Sequence, residues 1–135
     1  MSHGIFILPF DPIHWKNPAD STQVPTSDLE IRPDEYQEAI QKDWPGTTFG
    51  QEPLHAIGWN LSSKDSELGM RGSLHSDFQV VSHGWGAEVV DFVLWHRAFV
   101  AEEHKLYLNI EGSWDSLELT SKTTADEIKN FLHLQ

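Results

Sequence analysis

Apolar positions along this chain recur with two periods, one suited to strands and one to helices. The densest run lies inside residues 78–110, where Val89, Val90, Phe92, Val93, Leu94, Trp95, Phe99 and Val100 follow one another with no glycine or proline between them. Their β-branched and aromatic character predicts a long central strand, buried on much of both faces. Within it the even positions Val90, Phe92, Leu94, Ala98 and Val100 are the more uniformly apolar set. Downstream, Leu106, Leu108 and Ile110 alternate with Lys105, Tyr107 and Asn109, as a strand with one apolar face requires. Placing both apolar sets on one side demands an odd-numbered connection, because a slip of one residue inverts every side chain. A loop at Glu102-Glu103-His104 meets that demand and pairs Ala98 with Leu108 and Arg97 with Asn109.

The rest of the chain supplies shorter elements. Residues 4–8, GIFIL, predict a first strand stopped by Pro9, and residues 54–61, 68–74, 78–82 and 116–119 predict further strands, that over 68–74 bent at Gly69 and Gly72. Pro33 followed by Asp34 and Glu35 marks a helix start, since proline suits the first helical position and acids suit the positive end of the macrodipole. Tyr36, Ala39, Ile40 and Trp44 then recur at helical spacing, which predicts a helix over 33–43. Thr124 with Glu127 three positions on forms a capping box, and Ile128, Phe131 and Leu132 give the stripe of a second helix over 124–133. Residues 11–28 and 45–53 are rich in proline, glycine and small polar residues and read as loops. Strands joined by short turns, with helices toward the two ends, predict one α+β domain over 1–135: a mainly antiparallel sheet of five to seven strands with the two helices packed on one face.

Composition narrows the function more than it identifies one. There are 21 acidic and 9 basic residues, a net charge of −12, and the basic ones are scattered singly. Nucleic-acid binding, which needs clustered lysine and arginine, is not expected. The absence of cysteine excludes disulfides, thiolate metal sites and cysteine nucleophiles. The N-terminal run has no basic region before it and no small-residue cleavage site after it, so it does not read as a signal peptide. Asp91, His96 and Arg97 interrupt the longest apolar segment, which removes a membrane span. A cytoplasmic protein is expected.

Candidate chemistry is sparse. His75, His83, His96 and His104 fall within thirty positions of one another, but their spacings match no regular ligand pattern, and neither a metal nor a cofactor is expected. His96 reads as a hydrogen-bonded core histidine. No nucleophile elbow or S-x-x-K pattern occurs, and Ser73, His75 and Asp77 alternate along one strand without forming a relay. What remains is an aromatic surplus. In the hairpin register, Trp95, Arg97 and Phe99 share a face with Tyr107, residue types enriched at binding hot spots. The leading expectation is a non-catalytic interaction or regulatory protein that binds a partner, basic or a second copy of itself, through Trp95, Arg97, Phe99 and Tyr107. The alternative is a small-molecule binder or enzyme with a site between the sheet and the loop 11–28, lined by His14 and Trp15.

Overall fold

The computed structural model describes residues 3–11, 29–52, 55–61, 70–75, 80–84, 86–110 and 115–133. Its strands are β1 (His3–Leu8), β2 (Thr48–Glu52), β3 (His55–Leu61), β4 (Met70–His75), β5 (Val80–Gly84), β6 (Leu106–Ile110) and β7 (Ser116–Leu119), and its helices are α1 (Pro33–Asp43), α2 (Gly86–Phe99) and α3 (Ala125–Phe131). The strands form a seven-stranded sheet in the order β2-β3-β4-β5-β1-β6-β7, every pairing antiparallel. The fold is α+β, as expected, with three helices rather than two. No helix among the described residues is long and apolar enough to cross a membrane.

The register puts one apolar row across six strands: Leu117, Leu108, Ile7, Val80, Leu74 and Ile57 are successive cross-strand partners. Partners opposite one another point to the same face, so this row defines the side that the helices cover. Tyr36 and Ile40 of α1, Val89, Phe92 and Val93 of α2, and Ile128 of α3 join it in one core. Both expected helix starts are present. Pro33 opens α1 behind an extended Arg32, and Thr124 caps α3 with both bonds of the capping box in place.

The expected central strand is a helix, and the expected hairpin does not exist. β5 and β6 are both antiparallel to β1, which lies between them, so they run parallel to each other and need a crossover of a dozen or more residues. α2, with 14 residues, is that crossover. Arg97 therefore does not face Asn109, whose strand partners are Phe6 and Ser116, nor does Ala98 face Leu108. A second correction concerns residues 45–53, read as loop: Thr48–Glu52 form the edge strand β2, with a register shift between Gly50 and Glu52 where the glycine loosens the ladder.

A neighbouring row on the core face runs Ile110, Ile5, Ser82, Gly72, Trp59 and Phe49. The missing side chain at Gly72 is where the Trp59 indole lies, since a Cβ there would stand 2.6 Å from Trp59 Nε1. Tyr36 and Phe92, with ring centroids 5.5 and 5.7 Å away, hold the indole from above. Gly72→Ala is accordingly expected to cost about 2–3 kcal/mol, the penalty of overpacking a closed core. Gly58→Ala, where the nearest atom to a new Cβ would be 3.6 Å away, is the control and should cost under about 1 kcal/mol in the same urea titration. Equal midpoints for the two variants would show that the indole moves freely.

Candidate functional site

Six aromatic rings fill the space between α1, α2 and the sheet. Along α2 the rings of Phe92, Trp95 and Phe99 stack, with centroids 5.7 and 5.5 Å apart and interplanar angles of 27° and 19°. Tyr36 meets Trp95 and Phe99 edge-on at 5.2 and 5.1 Å, and Trp44 meets Trp95 edge-on at 5.5 Å. Trp59 closes the pile from the sheet side. Offset stacks and edge contacts of this kind add roughly 0.5–1.5 kcal/mol per pair beyond the area they bury. The inner rings Tyr36 and Phe92 are fully buried, whereas Trp44, Trp95 and Phe99 are half-buried. The pile therefore carries its outer aromatics to the surface between the two helices.

One polar contact crosses the inside of this pile and another its rim. The Tyr36 hydroxyl lies 2.8 Å from His96 Nδ1, both residues having no exposed surface. Burial raises the Tyr36 phenol well above its ordinary value, and it lowers His96 to about 3, with the neighbouring Arg97 charge pushing the same way. Both groups are thus uncharged near neutrality. Among the described residues His96 Nε2 meets no hydrogen-bond partner, and neither does Trp59 Nε1. At the surface, Trp95 Nε1 donates to Asp43 Oδ2 at 2.6 Å, joining the last residue of α1 to α2.

The residues expected to form one patch are divided. Trp95 and Phe99 come together in the stack. Arg97 turns the other way and is buried. Its Nη1 donates to the carbonyls of His104 and Leu119, and its Nη2 to those of Val100 and Ala101. Burial pulls its pKa down while the Glu102 carboxylate pulls it back up, and the guanidinium remains charged. Tyr107 pairs with Leu8 and Glu118 across the sheet. It therefore lies on the face away from the helices, where burial first, then the Glu118 and Asp11 carboxylates, raise its phenol. His14 and Trp15 lie outside the described residues.

Two clefts are formed by described residues. One, of about 320 Å³, runs between the end of α2 and the turn after β7, with Leu94, Ala98, Arg97, Glu102 and Thr120 in its wall. The other, of about 450 Å³, is bounded by Asp115, Ser116, Asn130, Phe131 and His133. Neither touches Tyr36 or His96, so the buried pair has no route to a substrate through them. Ser116, Asp115 and His133 share the second cleft, but no hydrogen bond joins Ser116 to His133, as a relay would require. Ser73 Oγ and His75 Nε2 are 3.5 Å apart, too long for a productive bond. His75 pairs with His55 across β3 and β4, and among the described residues no group of three or more histidine, aspartate or glutamate side chains is placed to hold a metal ion.

Asp43 and Trp44 carry no motif that marks them as functional; the signals for them are the place of Trp44 in the apolar stripe of α1 and the acid beside it. Comparison with protein-family models, curated proteins and solved structures gives no match to this chain.

Proposed function

We propose that this protein is a non-catalytic interaction module that engages a protein partner through the strip formed by Trp44, Trp95 and Phe99 between α1 and α2. The observation that carries this reading is the graded burial of the aromatic pile: its inner rings are sealed in the core and its outer three reach the surface already packed together, Trp95 stacked on Phe99 and met edge-on by Trp44. Rings held by their neighbours lose little side-chain freedom on binding, which is why tryptophan serves so often as an anchor. The lack of a catalytic constellation at either cleft and the high negative charge fit the same reading. A cytoplasmic setting is part of the proposal, supported by the acidic, cysteine-free composition.

The test compares wild type with the double variant Trp95→Gln and Phe99→Gln as baits in lysate from the source cell. Because both positions are half-buried at the helix surface, thermal unfolding should first confirm that the double variant folds. A specific partner recovered by wild type and lost by the folded variant is the expected result. Identical recoveries from both baits would sink the reading.

A further inference from the structure

We propose that Trp95 and Tyr36 form a relay for one-electron oxidation: a high-potential metal centre at the surface takes an electron from Trp95, and the oxidised state passes inward to Tyr36. This goes beyond the interaction reading and does not depend on it.

Two rings of the pile have what that chemistry needs. Losing an electron makes a phenol or an indole strongly acidic, so oxidation is eased where a base stands ready to take the proton. The Tyr36 hydroxyl lies 2.8 Å from His96 Nδ1, and Trp95 Nε1 donates to Asp43 Oδ2 at 2.6 Å. In the tautomer with its hydrogen on Nε2, neutral His96 accepts the phenol hydrogen bond at Nδ1. The two rings meet edge-on with centroids 5.2 Å apart, so no residue stands between them. Trp59 supplies the contrast. It is nearly as close to Tyr36, at 5.5 Å, but its buried Nε1 has no hydrogen-bond partner among the described residues, and an unpaired cation in that core is disfavoured. Packing alone would ask for neither base.

The steps balance in electrons and protons. The metal centre gains one electron from Trp95, whose indole proton moves to the Asp43 carboxylate. An electron then passes from Tyr36 to the Trp95 radical, the phenol proton moves to His96 Nδ1, and Asp43 returns its proton to the indole. The net products are a metal centre reduced by one electron, a neutral tyrosyl radical and an imidazolium. Burial opposes that imidazolium, so its proton goes back to Tyr36 when the electron is returned. Tyr36 has no exposed surface, which keeps its radical from coupling with another molecule. The net charge of −12 favours a cationic oxidant.

The test mixes the full chain with photogenerated tris(bipyridine)ruthenium(III), a cationic one-electron oxidant, and follows radicals by transient absorption and electron paramagnetic resonance. A tryptophan radical should appear first and decay as a tyrosyl radical grows, more slowly in heavy water. The chain has two tyrosines, so Tyr36→Phe should abolish the tyrosyl signal and Tyr107→Phe should keep it. Trp95→Phe and His96→Gln, each first shown to fold by thermal unfolding, should lower its yield at least about tenfold. A tyrosyl signal that survives in Tyr36→Phe and vanishes in Tyr107→Phe would overturn the inference, as would a tryptophan radical that decays with no tyrosyl growth. An unchanged yield in folded His96→Gln, or equal growth rates in light and heavy water, would overturn it by removing the proton step.

Discussion

Replacing Arg97 by alanine is expected to cost about 3–5 kcal/mol of folding stability, the range for removing one member of a buried charged network. The four carbonyls bound by this guanidinium tie three places together: Val100 and Ala101 follow the end of α2, His104 lies just before β6, and Leu119 ends β7. The carbonyls past the end of a helix have no partners within it, and here a side chain from the last turn folds back to satisfy them while reaching two strands beyond. Truncation would leave the buried Leu119 and Val100 oxygens without these donors. Arg97→Lys should recover less than half of the loss, because three donors on a point charge cannot span the same fork. Urea unfolding is the measurement, with the midpoint falling by roughly 1–3 M at unchanged slope. A loss below about 1 kcal/mol would mean that water replaces the clasp without penalty.

The same residue shows why part of the structure was legible in the sequence and part was not. Positions four apart share a face in a strand and in a helix alike. Trp95 and Phe99 therefore share a face whether residues 89–100 form a strand or a helix. Positions two apart share a face only in a strand, so Arg97, which a strand register sets beside them, points across the helix instead. The strand-like look of this segment has a physical origin. α2 is apolar on most sides, with Asp91 and Ala98 as its exposed positions among residues 89–99, so the helical period is faint. Its three β-branched valines favour strand locally. Tertiary context overrides that preference, because only a crossover connects β5 to β6 around β1. Among the buried residues, Val89, Phe92, Val93, His96 and Val100 follow helical spacing, a signal masked by the apolar residues between. α1 and α3, by contrast, carry proline, acids and a capping box at their starts, and β6 and β7 alternate cleanly. Those signals are local, and no distant contact competes with them.

Lowering the pH is expected to remove on the order of 5 kcal/mol of stability through His96 alone, as the pH falls from about 6.5 to about 3. The sign follows from which state binds the proton. In the unfolded chain the imidazole protonates near its ordinary value of 6.5, whereas in the folded chain burial, helped by the Arg97 charge, holds that event down to about 3. Between the two values the unfolded state carries a proton that the folded state refuses. Stability is complete above the unfolded value, declines through the window, and levels off once both states are charged. The difference in unfolding free energy between wild type and His96→Gln isolates this contribution, since the carboxylates and the other histidines titrate in both proteins and cancel. Glutamine still offers a neutral polar group to the Tyr36 hydroxyl, which His96 meets at 2.8 Å. The wild-type advantage should therefore shrink steadily on acidification, and a difference that stays constant from pH 7 to 4 would show that His96 accepts its proton without leaving the core. Because Tyr36 also supports Trp95 and Phe99 edge-on, expulsion of a charged imidazole would take apart the pile beneath the aromatic strip. Binding through that strip should therefore persist while the chain stays folded and be lost together with the fold on acidification.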